Sequence, residues 1–198
     1  PRLIYCSVTG FGQTGPRRDQ PAYDFLIQAM GGLMSVTGER EGRPGAGPQK
    51  VGIPIVDLMT GMYAAVSVLA ALTRRAETGQ GETIDIAMLD VQVATLANQA
   101  MNYLVSGKVP HRNGNAHPNI QPQDVYGCAD GEVILVVGND GQFAKLCQVL
   151  GQPDMATDVK FKTNADRVRN INELNTILRH EFLKWSREKL IEALEESK

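Results

Sequence analysis

The sequence has 198 residues, with 20 lysines and arginines against 22 aspartates and glutamates, and 42% of its residues are hydrophobic. This composition is that of a globular chain, and it excludes a disordered, collagen-like or disulfide-stapled protein. A chain of this length buries roughly 70% of the surface that its unfolded form exposes, so one or two domains are stable without metals or disulfides. A formal net charge of −2, with no strongly basic segment, argues against nucleic acid as a partner.

The cysteines and the chain ends indicate the setting of the protein. Cys6, Cys128 and Cys147 stand at long spacings without a C-x-x-C pair, and no signal-like segment opens the chain. We therefore expect a reducing, cytoplasmic location. Because the sequence starts at Pro1 inside a strand-like pattern and ends at Lys198 inside a helical one, we also expect an excerpt from a longer chain.

The first predicted elements are a strand over residues 3–8, a glycine-rich turn and a helix that ends at Gly31. The turn Gly10–Gly15 satisfies G-x-G-x-x-G, the spacing of a dinucleotide-binding loop. Such a loop must open a helix at its third glycine, but Pro16 and Pro21 delay any helix here. The pattern therefore argues against a dinucleotide site, although the turn can bring its backbone close to another ligand.

A long apolar helix is predicted next, from Asp57 to about Arg75. Its pattern is apolar nearly all round, and its uncharged run of 16 residues is too short to cross a membrane, so we expect a buried core helix. A strand over residues 82–86 and a helix over residues 88–104 follow. Strand, helix, strand and helix in this order predict an α/β layer.

The second half of the sequence begins with a polar loop over residues 107–123. A β-hairpin follows over residues 124–137, and the remainder is helical. We therefore predict three parts: residues 1–106 as part of a large domain, residues 107–123 as a linker or active-site loop, and residues 124–198 as a small domain.

Asp57 is the main candidate for chemistry, because it is the only charged residue between Val51 and Thr73. One interpretation is an N-cap, since aspartate is among the favoured capping residues. The other is a carboxylate that the helix N-terminus keeps ionised in an apolar site, where it serves as a nucleophile or base. The two interpretations are compatible.

Histidines and metal motifs give weaker signals. His117 lies in the polar loop and is either an acid/base or ligand-contact group or a surface hydrogen-bonding residue. The sequence contains no H-x-x-H, C-x-x-C or H-E-x-x-H spacing, so we predict no metal site. It also lacks the nucleophile elbow, the P-loop and the kinase motif set.

Several segments, in chain order, resemble the class III CoA-transferases. They are residues 3–16 (LIYCSVTGFGQTGP), 22–24 (AYD), 31–38 (GGLMSVTG), 57–61 (DLMTG), 78–85 (TGQGETID), 114–120 (GNAHPNI) and 138–143 (GNDGQF). The family includes formyl-CoA, carnitine and dicarboxylate CoA-transferases, with α-methylacyl-CoA racemase as a mechanistically different relative. The resemblance implies an α/β fold with a Rossmann-like large domain and a small α+β domain, and two chains that interlock in a homodimer.

The resemblance also implies the reaction. Asp57 takes the place of the family's nucleophile, whose carboxylate attacks an acyl-CoA thioester so that CoA passes through an aspartyl thioester to a carboxylic-acid acceptor. Acyl-CoA and a small carboxylic acid are then the substrates, with no permanently bound cofactor. Further substrate-binding candidates follow from the same resemblance: Gly10, Phe11, Gly12, Tyr23, Asp24, His117 and Asn119.

Three positions bear on alternatives that stay open. Arg74 and Arg75 either reach CoA phosphates or complement the dipole at a helix C-terminus. Tyr23 stands where the racemases carry a histidine base, and a tyrosine of ordinary pKa near 10 is a poor base at neutral pH, which favours a transferase over a racemase. A non-catalytic dimerisation or CoA-binding module is the alternative from another class. We expect neither nucleic acid nor a membrane as a partner.

Overall fold

A computed structural model describes residues 1–197 of the chain. They form two compact units, one spanning residues 1–114 and one that starts at Asn115. The first unit contains β1 (Ile4–Thr9), α1 (Asp24–Met30), α2 (Leu33–Val36), α3 (Ile55–Thr78), β2 (Glu82–Ala87), α4 (Met88–Thr95) and α5 (Asn98–Ser106). The mixed α/β class that the sequence predicts is confirmed.

The strands of the first unit are parallel neighbours. Ile4 of β1 pairs with Glu82 of β2, and the register continues to Thr9 and Ala87. Parallel strands need a crossover connection, which α3 supplies before the chain turns into β2. Helix α3 ends at Gly79, whose φ of 72° is the left-handed conformation that glycine adopts at little cost.

The prediction that α3 is a buried core helix is wrong for the described residues. One face packs against β1, β2 and α4, and it buries Val56, Thr60 and Ala71. The opposite face exposes 53–63% of each of its large apolar side chains, namely Leu58, Met62, Val66 and Leu69. A sequence that is apolar nearly all round does not indicate which face its neighbours cover.

Helix α3 also passes the length and composition test for a membrane-crossing segment. It has 24 residues and a mean hydropathy of 1.8 over its most apolar window, of which 17% is buried. Core helices of soluble proteins pass the same test, and α3 packs against four neighbouring elements of its own unit, namely α1, α4, β1 and β2. Length and composition therefore do not by themselves assign the helix to a bilayer.

The single helix predicted over residues 88–104 is instead two helices, α4 and α5. The break lies at Ala97, whose φ of 47° is positive, a backbone region that residues other than glycine seldom adopt. No glycine or proline marks this position in the sequence. The break was therefore not predictable from local signals.

The second unit begins with the predicted hairpin, formed by β3 (Gln123–Cys128) and β4 (Gly131–Val136). Helices α6 (Asp140–Val149), α7 (Asn164–Arg169), α8 (Ile171–Phe182) and α9 (Arg187–Glu196) follow, with a short 3-10 helix at Pro153–Ala156. The hairpin packs on α8, where the Tyr126 hydroxyl donates a hydrogen bond to Asn175 Oδ1 at 2.6 Å. The core of the second unit includes Tyr126, Phe143, Leu146, Phe161, Leu174, Leu178, Phe182 and Leu190.

A buried arginine joins three segments of this unit. The side chain of Arg167, on α7, is fully buried and donates to the carbonyl oxygens of Gln121 (2.6 Å) and Phe161 (2.9 Å). It also forms an ion pair with Asp140 at 2.8 Å and lies over the ring of Phe143, 4.4 Å from its centroid. Arg167 therefore holds the chain before β3 against α6 and α7.

Candidate active site

Asp57 lies in the first turn of α3, not at its N-cap. The helix begins at Ile55, and Pro54 takes the N-cap position, so the N-cap interpretation is wrong. The Asp57 side chain is exposed, and among residues 1–197 no group donates a hydrogen bond to its carboxylate. The carboxylate therefore stands exposed beside a helix N-terminus, a position from which it can act as a nucleophile.

A different carboxylate caps this helix. Asp24 Oδ2 accepts a hydrogen bond from the backbone N–H of Val56 at 2.8 Å and a longer one from that of Asp57 at 3.4 Å. These N–H groups belong to the first turn of α3, where intrahelical acceptors are missing. Asp24 is half-buried at the start of α1, so its observed contact is with the backbone that carries Asp57.

The glycine turn packs directly against the residues before α1. A Cβ built on Gly10 would lie 2.2 Å from the Cβ of Ala22, so only glycine fits there. Gly12 has a φ of 82°, and its N–H donates to Thr9 Oγ1 at 2.9 Å. The next N–H along the chain, that of Gln13, donates to Asp85 Oδ2 of β2 at 2.8 Å.

No helix follows this turn directly, since α1 begins only at Asp24. The predicted delay of the helix after the third glycine is confirmed, and the argument against a dinucleotide site stays a prediction. Phe11 lies beneath the guanidinium of Arg17, whose Cζ is 5.8 Å from the ring centroid, and Tyr23 leaves 77% of its surface exposed.

The first unit thus joins four of the candidate positions through contacts. Gly10 abuts Ala22, which precedes Tyr23, and the adjacent Asp24 binds the turn that carries Asp57. Contacts therefore link the glycine turn to residues 22–24, and Asp24 to the first turn of α3, which carries Asp57.

Arg74 and Arg75 lie at the other end of α3, which at 1.5 Å per residue is about 25 Å along the axis from Asp57. Arg74 forms an ion pair with Glu82, and Arg75 donates to the carbonyl oxygen of Arg2 at 3.0 Å. These local partners favour the structural interpretation of both arginines. Binding of CoA phosphates by them stays a prediction.

His117 and Asn119 lie in the second unit. The Nδ1 atom of His117 accepts hydrogen bonds from the N–H groups of Asn119 (3.1 Å) and Ile120 (3.0 Å). In the neutral ring this geometry puts the proton on Nε2. The carbonyl oxygen of Asn119 accepts from Asn164 at 2.8 Å. Both residues therefore shape their own loop, and their contact with substrate stays a prediction.

Sequence reasoning missed two residues of the site. Gln28 binds Asp24, and Asp85 binds the glycine turn at Gln13. The spacing of Asp24 and Gln28, four residues apart on one helix, is a signal for their contact. Asp85 gives no such signal, because it follows the ordinary alternation of a strand. In the part of the chain that the structure describes, no group of three metal-ligating side chains is present.

Comparisons with known proteins identify the family of the chain. The model of CoA-transferase family III matches residues 1–198. Over 195 residues the chain is 50% identical to the succinate–glutarate CoA-transferase of Agrobacterium fabrum, covering 98% of this chain and 48% of that protein. It is 42% identical over 178 residues to the acetyl-CoA:oxalate CoA-transferase of Acetobacter aceti, covering 90% of this chain and 45% of that protein.

A solved structure has the same fold as this chain. The crystal structure of a CAIB/BAIF family protein from Brucella suis superposes with a TM-score of 0.77 at 47% identity, covering 99% of this chain and 51% of that chain. The chain belongs to CoA-transferase family III. It spans about half the length of the curated relatives it matches.

Proposed function

We propose that the protein is a CoA-transferase that moves CoA from an acyl-CoA donor to a carboxylic-acid acceptor through covalent intermediates on Asp57. The observation that carries the proposal is the exposed Asp57 carboxylate, which receives no hydrogen bond within residues 1–197 because Asp24 caps the helix in its place. Free oxygen lone pairs beside a helix N-terminus suit a carboxylate nucleophile.

The proposed reaction proceeds in four exchanges. An Asp57 oxygen attacks the thioester carbon of the donor and the C–S bond breaks. CoA departs as the thiolate, and a mixed anhydride between Asp57 and the donor acid is formed. The thiolate attacks the aspartyl carbon of the anhydride, releasing the donor carboxylate and forming an aspartyl-CoA thioester. The acceptor carboxylate then displaces the thiolate to give a second anhydride. Attack of the thiolate on the acceptor acyl carbon forms the new acyl-CoA and restores Asp57.

Each anhydride or thioester divides one difficult transfer into easier steps and needs no cofactor of its own. The acceptor that we propose is a small dicarboxylic acid. The names of relatives that act on succinate, glutarate and oxalate support this choice.

The proposal includes an interlocked homodimer in the cytoplasm. The exposed apolar face of α3 supports the dimer, since a contiguous exposed apolar area marks a site where another protein surface packs. The three free cysteines support a reducing compartment. Binding of acyl-CoA by Gly10, Phe11, Gly12 and Tyr23 is proposed on the family resemblance, and the contact of Gly10 with Ala22, two residues before Asp24, supports it.

Intact-protein mass spectrometry after mixing with succinyl-CoA tests the mechanism. We expect a CoA adduct on the unsubstituted protein, its conversion to a hydroxamate by hydroxylamine, and no adduct with Asp57→Ala. Asp90→Ala is the matched control, because Asp90 is also an exposed aspartate in the first turn of a helix, α4. An adduct that survives in Asp57→Ala would refute the assignment. Exchange of an α-proton with deuterated solvent, without an adduct, would support a racemase, and neither signal would support a binding module.

A further inference from the structure

The segment that leads into Asp57 has no cap of its own. Pro54 occupies the N-cap position of α3 and offers no side-chain acceptor. The N–H of Ile55 donates to the carbonyl oxygen of Ile53, and that of Leu58 donates to Pro54. The N–H groups of Val56 and Asp57 therefore depend on an acceptor from elsewhere in the chain.

Asp24 supplies that acceptor from a helix 32 residues earlier. Its Oδ2 atom lies 2.8 Å from the nitrogen of Val56, and both residues lie inside the first unit. Val56 is buried, so in the folded protein its N–H depends on this acceptor and not on water. The first turn of a helix is where the structure opens most readily, and a charged acceptor from another element opposes that opening.

Gln28 fixes Asp24 in turn. Its side chain is fully buried one helical turn after Asp24, and its Nε2 donates to Asp24 Oδ1 at 2.5 Å. Its Oε1 accepts from the N–H of Val51 at 2.9 Å. A carboxylate only accepts and a backbone N–H only donates, so the amide group has one satisfactory orientation.

The same amide thus holds both ends of residues 51–56. The Gln28 amide binds Val51 directly and Val56 through Asp24. Both ends of residues 51–56, the segment that leads into the first turn of α3, are therefore held by hydrogen bonds. From this geometry we infer that Gln28 is a positioning residue for the reaction, acting through Asp24 to hold the Asp57 carboxylate in the attack geometry. The inference rests on the proposed function, in which Asp57 is the nucleophile.

A positioning role predicts a loss in rate and not in substrate binding. A displacement of about 1 Å of a reacting group costs up to about 10²-fold in rate. We therefore expect Gln28→Met to lower kcat about 10- to 100-fold while KM changes less than about threefold. The rate of adduct formation on Asp57 should fall by the same factor.

The matched control is Gln92→Met. Gln92 is also a fully buried glutamine of the first unit, but in the described residues neither polar atom of its side chain has a hydrogen-bond partner. Gln92→Met changes the same atoms at a buried site without breaking the hydrogen bonds that Gln28 makes, so its kcat should stay within about twofold of the unsubstituted protein. Circular dichroism of both variants of the full-length protein checks that each is folded.

A double-mutant cycle separates positioning from general destabilisation. If Gln28 acts through Asp24, Asp24→Ala combined with Gln28→Met should have the same kcat as Asp24→Ala alone, because the intermediary is already missing. Additive losses, or equal kcat values for the Gln28 and Gln92 variants, would overturn the inference while Asp57 adducts still form. Loss of the Asp57-dependent adduct from the unsubstituted protein would instead refute the proposed function.

Discussion

The buried guanidinium of Arg167 should be a principal source of stability in the second unit. Arg167→Met removes its ion pair with Asp140 and leaves the buried carbonyl oxygens of Gln121 and Phe161 without this donor. Each unpaired buried acceptor costs about 1–3 kcal/mol, whereas loss of the ion pair adds little because the Asp140 side chain is 54% exposed. Methionine restores part of the packing on Phe143. We expect the free energy of unfolding to fall by about 3–5 kcal/mol.

Urea denaturation followed by the fluorescence of Trp185 measures this loss, because that side chain packs against the core of the second unit and is the one tryptophan in the sequence. With an m-value of about 2 kcal/mol/M, the midpoint should fall by roughly 2 M.

Arg169→Met is the matched control, two residues away on the same helix. Its guanidinium is 69% exposed and pairs with Asp166, an arrangement worth about 0–1 kcal/mol. Equal midpoints for the Arg167 and Arg169 variants would refute the reasoning.

Three further predictions concern other parts of the chain. Gly61→Ala should raise the free energy of unfolding by about 0.5–1 kcal/mol, because the added Cβ meets nothing within 4 Å. The same substitution should lower kcat, since the Cβ projects one turn from Asp57 on the same helical face, and an equal kcat would contradict this. Tyr126→Phe should cost about 1–3 kcal/mol in a urea titration by removing the donor to Asn175, and an unchanged midpoint would count against it. Burial raises the pKa of the Cys147 thiol to about 11, so at pH 8 iodoacetamide should label it only after denaturation, as peptide mass spectrometry would show.

Elements with local signals were predicted to within a few residues. The first strand, the strand after α3 and the hairpin all follow from short-range alternation and glycine-containing turns. Helix α3 extends two residues before and three beyond its predicted span from Asp57 to Arg75, and Gly79 marks its end. The position of Asp57 in the first turn also followed closely from the sequence, although its role as N-cap did not.

Features that depend on distant residues were not predicted. The cap of α3 comes from Asp24, 32 residues before Val56, so no local pattern reveals it. Arg167 lies in a charged segment, between Asp166 and Arg169, that is typical of a solvated helix face, yet it is fully buried. The exposed face of α3 was not predicted either, because a helix with apolar residues on every side does not show in its sequence which face packs against the rest of the protein.

Because Gly10 has no Cβ, the glycine turn lies directly against Ala22. Any side chain at Gly10 would have to retreat from 2.2 Å to an ordinary carbon–carbon approach of about 3.7 Å. The glycine turn would then move by about 1.5 Å away from Ala22, which lies two residues before Asp24. A substitution at this one position would therefore displace the glycine turn relative to the segment of Asp24, the residue that caps α3, without touching Asp57.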